Sequence, residues 1–281
     1  MRILLTNDDG IYAPGLATME RALRRLGKVS VVAPLREQSG VARAITFLTP
    51  LQARKIFVNN KHWGWAVDGT PADCVKLAVS TILPERPDLV VSGINSGLNA
   101  SINILYSGTV GAAAEGALYG ITSIAVSLQY TENEPFQQAA ELAVGVIGKI
   151  LKQKNPPGRL YNLNIPLKAL KNEEPEVRIV PMDTTQCWES FEQRIDPMMG
   201  RAYYWLSGKT DPRQPKIKKP EQMTDLTALS QGYITVTPLN FDVTDRHRLN
   251  EMADWDLTPH PDEASDEHEH TGPQVRVSWG S

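Results

Sequence analysis

Short apolar runs alternate with helix-period segments through the first half of this chain, and that alternation restricts the fold more than any other feature. Residues 2–6, 29–33, 88–92 and 123–128 are runs of strand length. After the first, Leu16, Met19, Leu23 and Leu26 recur at spacings of 3, 4 and 3, which is one face of a helix. Thr70-Pro71-Ala72-Asp73 marks a second helix, running to about Leu83, with Thr70 as N-cap, Pro71 at the first position and Asp73 in the first turn. A third helix starts near Thr109, the expected N-cap, and ends near Gly120; residues 134–153 make a long fourth. Residues 45–67 read as short β pieces around an Asn59-Asn60 turn. This order predicts an α/β fold with a doubly wound, mostly parallel sheet.

After Asn155 the character changes. Residues 160–165, 177–180 and 232–237 read as strands, residues 183–230 as irregular, with a Lys- and Pro-rich stretch at 208–221. The expected organisation is a core over 1–155, a β extension and oligomerisation arm over 156–252 that completes the same domain, and a polar acidic tail over 253–281. Asp262–His270 contains no Lys or Arg, which fits a loose tail, and His268 and His270 within it are expected to be solvated. Trp63 and Trp65, two apart, should share one strand face. Tyr203, Tyr204 and Trp205 offer stacking either to a base or to a partner chain.

A chain of 281 residues with 41% hydrophobic content supports one large core, and a formal charge of -3 implies no extended nucleic-acid surface. Cys74 and Cys187 are the only cysteines, both expected as buried free thiols, which suits a reducing compartment. No apolar run approaches the roughly 18 residues that span a bilayer, and no leader pattern precedes the first strand. A cytoplasmic protein with no membrane partner is the expectation.

In open parallel sheets, ligands bind beyond the carboxyl ends of the strands. Here the residues after the first strand are Asn7, Asp8 and Asp9, ahead of Gly10, which permits a turn. Adjacent aspartates at the mouth of a core repel each other. A divalent cation explains them; so does a solvated strand-end turn. The loop after the second strand carries Arg36, Gln38, Ser39 and Gly40, and the loop after 88–92 carries Gly93, Asn95, Gly97 and Asn99. Carboxylate, hydroxyl and amide oxygens suit Mg²⁺, Mn²⁺ or Ca²⁺ better than zinc or copper. Tyr106–Gly116 is rich in small residues. It reads either as a helix packed tightly on the sheet or as a phosphate-binding helix start at Ser107–Thr109, and the two are compatible. No Walker loop, no G-x-G-x-x-G and no G-x-S-x-G elbow is present, which argues against a P-loop enzyme, a dehydrogenase and a serine hydrolase.

Several ordered motifs resemble the stationary-phase survival protein SurE family. They are Thr6–Gly15, Gln38-Ser39-Gly40, Asp68–Val75, Val91–Asn95, Tyr106–Ala113, and Thr237-Pro238-Leu239 followed by Asp242, Thr244 and Asp245. The resemblance implies a Rossmann-like core and a metal-dependent phosphatase acting on nucleoside 5′- and 3′-monophosphates. It also implies a homodimer or homotetramer that exchanges C-terminal arms. Carried over, it makes Asp8, Asp9, Ser39 and Asn95 ligands of one divalent ion, Mg²⁺ or Mn²⁺. Ser107, Gly108 and Thr109 become phosphate contacts, with Asn7 and Asn99 as further substrate-binding candidates and Asp8 or Asp9 as the catalytic carboxylate. Many relatives have a histidine where this chain has Ser96, and Leu98–Leu105 differs from the family's acidic loop. A nucleotide-binding regulator without turnover is the competing reading.

Overall fold

Six parallel strands form the spine of the structure. The computed structural model describes residues 1–154, 156–185, 189–210 and 222–258. Its elements run β1 (Arg2–Thr6), α1 (Pro14–Leu23), β2 (Lys28–Pro34), β3 (Ala53–Val58), β4 (Lys61–Val67), α2 (Pro71–Leu77), β5 (Leu89–Ser96), α3 (Gly108–Leu118), β6 (Thr122–Leu128), α4 (Phe136–Leu151), β7 (Leu160–Ile165), α5 (Leu167–Leu170), β8 (Val177–Ile179), β9 (Glu189–Ile195), β10 (Ala202–Thr210), α6 (Asp225–Gln231), β11 (Ile234–Leu239) and α7 (Arg246–Glu251). A π-helical turn, Ala78–Ile82, extends α2, and a 3-10 turn, Ser101–Leu105, precedes α3.

The sheet has nine strands in the order β3-β4-β2-β1-β5-β6-β7-β11-β8. Strands β4, β2, β1, β5, β6 and β7 are mutually parallel; β3 pairs antiparallel at one edge. At the other, β11 runs antiparallel to β7 and parallel to β8. The doubly wound sheet is therefore as expected. Leu16, Met19 and Leu23 of α1 and Ala139, Ala143 and Ile147 of α4 build the core of one face with Ile3 and Leu5. Leu4, Val32 and Val90 face the other way, against Cys74 and Val75 of α2 and Ala112 of α3. Burial on both faces is why the strands read as unbroken apolar runs.

Thr70 caps α2 in a capping box with Asp73, and Asn59 and Asn60 turn between β3 and β4 with φ of +50° and +61°. Two expectations are corrected. Trp63 and Trp65 do not share a face: the pairing slips between Ile56↔Gly64 and Phe57↔His62. This bulge leaves Trp63 on the α1/α4 side and Trp65 on the α2 side. Residues 183–230 are not uniformly irregular, for they include the β9–β10 hairpin and α6. Asp196 organises the hairpin turn by accepting from the Met198 and Met199 amides at 2.8 and 3.0 Å.

The described residues up to 185 and from 222 to Phe241 form one unit, and residues 189–210 with those from Asp242 to 258 form another. In the second unit Tyr204 and Trp205 of β10 are exposed. Cys187, most of the Lys/Pro-rich stretch and the acidic tail with His268 and His270 lie outside the described residues. No helix among the described residues is long and apolar enough to cross a membrane.

Candidate active site

Strand order reverses between β1 and β5. The chain leaves β1 for β2 and β4 on one side and returns to β5 on the other, which makes the crevice where open α/β sheets bind ligands. Thr6 pairs with Ser92, so the segment after β1 stands beside Gly93–Asn95. Gly10 turns the chain with φ of +99°, and Asn7 Nδ2 donates to the Gly10 carbonyl at 3.0 Å. The Ile11 amide donates to the Pro34 carbonyl at 2.8 Å, and the Gln38 amide to the Asp8 carbonyl at 2.7 Å. The loops after β1 and β2 are thereby fastened together.

Helix α3 supplies the third wall. Thr109 is fully buried, and its hydroxyl donates to the Asp8 carboxylate. A Cβ at Gly108 would lie 2.9 Å from Asp8 Cβ and 3.1 Å from the Gln38 carbonyl, so glycine is needed for this approach. The N-cap is Ser107 and not Thr109: Ser107 Oγ accepts from the Val110 amide at 3.1 Å. A cap two residues earlier frees the Thr109 hydroxyl for Asp8. The small residues also serve packing, since a Cβ at Gly111 would meet the Ala42 carbonyl at 2.2 Å.

The site is strongly acidic. Asp8 is 5% exposed, and burial raises its carboxyl above the ordinary carboxylate range while the Thr109 hydrogen bond pulls the other way. Burial first, and then the neighbouring Asp8 charge, push Asp9 up to about 7. Glu37 adds to the negative field at both, and Glu134 at Asp9; the Ser96 backbone N–H faces Asp9 and favours its charged form. Asn7 Oδ1 is buried without a partner, and an unpaired buried acceptor beside carboxylates marks a place for an ion or water.

The structure thus brings Asp8 against Gly108 and Thr109 at the start of α3, which Ser107 caps, and sets Asp9 beside Asp8 on the side of Ser96 and Glu134. Asn95, at the end of β5, commits its Nδ2 to the Gly97 carbonyl at 2.7 Å, a bond that does not use its Oδ1. Ser39 is exposed, with its hydroxyl on Glu37 at 2.7 Å. Asn99 is bonded into the sheet: its Nδ2 donates to Ser127 Oγ at 2.9 Å, and its carbonyl accepts from Asn162 and Asn164 at 2.7 and 2.9 Å. Among the described residues no three His, Cys, Asp or Glu side chains group to hold a metal. The candidate ligand set therefore mixes two carboxylates with one hydroxyl and one amide oxygen.

Sequence reasoning missed Glu37 and Glu134, and marked Ser96 only as a departure from the family's histidine. Ser96 hydrogen-bonds Glu134 through its hydroxyl. Glu37 lies in the loop after β2 and Glu134 in the loop after β6, so both stand on the sheet edge where the carboxyl-end rule looks for function.

A family model described as "Survival protein SurE" matches residues 3–192. The chain is 52% identical to the 5'-nucleotidase SurE of Rhodopirellula baltica over 92% of its own length and 100% of that protein. It is 45% identical to the 5'-nucleotidase SurE of Carboxydothermus hydrogenoformans, over 91% of this chain and 96% of the other. Among solved structures, the SurE protein of Aquifex aeolicus superposes with a TM-score of 0.75 at 38% identity, covering 90% of this chain and 98% of that one.

Proposed function

The chain belongs to the SurE family, and we propose from that membership and from its site that it hydrolyses nucleoside 5′- and 3′-monophosphates to nucleoside and phosphate. One observation carries the reading: the Asp8 carboxylate is held against the first turn of α3 by Thr109. A helix start attracts anions, yet two carboxylates beside it would repel a phosphate. Both features serve one substrate only when a cation lies between them.

The donor chemistry and the unpaired Asn7 Oδ1 fit such an ion. Asp8, Asp9, Ser39 and Asn95 would hold one Mg²⁺ or Mn²⁺. When bound, the ion supplies charge neutralisation and lowers the pKa of a coordinated water. The chain's own groups do the rest. The α3 amides at Gly108 and Thr109 and the Ser107 hydroxyl bind phosphate oxygens where negative charge develops. Thr109 holds Asp8 in orientation, and an aspartate carboxylate at this site either accepts a proton from water or attacks phosphorus itself. The reading extends to a cytoplasmic homo-oligomer built through C-terminal arms, a role that the exposed Tyr204 and Trp205 of β10 suit. A regulator without turnover finds no support, since the relatives above are named nucleotidases.

Phosphate release from nucleoside monophosphates, measured with EDTA and after adding back Mn²⁺ or Mg²⁺, tests the proposal. Turnover that EDTA abolishes and metal restores is expected. No release with any nucleotide and either metal would overturn it.

A further inference from the structure

We propose that Glu134 is a positioning residue of this site, acting through Ser96 on the spacing between Asp9 and Asn95; the inference rests on the metal-site reading above. Ser96 is the pivot. Its hydroxyl donates to Glu134 Oε1, its backbone N–H faces the Asp9 carboxylate, and its chain neighbour is Asn95. Rotation of Ser96 would move the amide that meets Asp9 and the residue that offers Oδ1 in the same stroke.

Glu134 is itself fixed from the core side. The Phe136 amide donates to the Glu134 carbonyl at 2.8 Å, and Phe136, 8% exposed, is part of the core on the α1/α4 face. A Cβ at Gly15 would lie 2.3 Å from the Ile94 carbonyl and 3.0 Å from the Phe136 ring. The start of α1, the end of β5 and the start of α4 therefore close on one point. The Gly97 amide donates to the Leu128 carbonyl at 2.8 Å, which ties the far side of Ser96 to β6. With both flanks anchored, the freedom left at Ser96 is what the Glu134 hydrogen bond removes. A carboxylate that orients a ligand-bearing segment in this way is a supporting group of the kind metal sites use.

Four full-length proteins test it: Glu134→Ala, Glu134→Gln, Ser96→Ala and the double Glu134→Ala/Ser96→Ala. Calorimetric titration with Mn²⁺ alone gives affinity, and phosphate release gives kcat and KM separately. Glu134→Ala and Ser96→Ala should each weaken Mn²⁺ binding about tenfold, and the double variant should be no worse than either, because the two changes break one linkage. Glu134→Gln, which keeps an oxygen to accept from Ser96, should stay within about threefold of the parent. KM for the nucleotide at saturating Mn²⁺ should hold steady. A parent that binds Mn²⁺ with variants indistinguishable from it would overturn this inference alone, as would additive losses in the double variant. A parent that binds no Mn²⁺ would overturn the metal-site reading and this inference with it. Melting curves separate misfolding from lost binding, and Ser96→Ala, which breaks the same hydrogen bond from the other side, carries the test if Glu134→Ala unfolds.

Discussion

Replacing Asp9 with Asn should make the metal-free protein more stable while removing its activity. Its carboxyl stands at about 7 against an ordinary 3.8. At ~1.4 kcal/mol per unit, complete ionisation costs the folded state ~4 kcal/mol relative to the unfolded chain. Solvent that still reaches this partly buried group reduces that to ~2 kcal/mol. The folded state holds the Asp9 proton more tightly than the unfolded state does. Stability therefore falls as pH climbs from 3.8 to about 7 and levels off above that. Asp8 contributes with the same sign. Asp88, Asp183, Asp242 and Asp256 are lowered, so what they contribute is lost only below the ordinary carboxylate range. In EDTA at pH 8, Asp9→Asn should melt roughly 4–8 °C above the parent, at ~2–4 °C per kcal/mol for a chain of this size. At pH ~3, where Asp9 is protonated in both states, the two curves should nearly coincide. Mn²⁺ at about a hundredfold its Kd should then add ~2.7 kcal/mol to the parent and little to the variant, which closes the gap. Circular dichroism melts at the two pH values, with and without metal, supply the data. A variant that never melts above the parent in EDTA would refute the claim that burial and Asp8 destabilise the Asp9 charge.

Gly108→Ala should cost ~1–3 kcal/mol and most of the activity, because its Cβ would fall 2.9 Å from Asp8 Cβ in a site with no slack; a thermal melt paired with a phosphate-release assay reads both. Thr109→Ala should lower kcat with a small effect on folding, and Thr109→Ser, which keeps the hydroxyl on Asp8, should recover it. Asp225→Ala should destabilise by at least ~3 kcal/mol in urea unfolding, since it strips acceptors from the buried Ser101 and Asp183 amides at 2.8 Å each.

The parallel sheet and the location of its site were legible in the sequence because both rest on local signals. Strand-length apolar runs mark strands buried on two faces, and the polar, glycine-bearing segments that end them mark one sheet edge. Contacts made across the chain left no such trace. Asp8 and Thr109 are 101 residues apart, and nothing local announces that the hydroxyl serves a carboxylate instead of capping its helix. The bulge at Trp63 is equally silent, for period-2 reasoning assumes unbroken pairing and one extra residue inverts the face. The β9–β10 hairpin was hidden differently. Its strands carry Glu192 opposite Trp205 and Arg194 opposite Tyr203, pairs with no buried side to impose alternation. Glu134 lies within reach of the carboxyl-end rule, because the loop after β6 opens on the same sheet edge as the loops after β1, β2 and β5. That loop holds the carboxylate that hydrogen-bonds Ser96. A site at a strand-order reversal draws on every flanking strand end, so the rule has force only when all of them are searched.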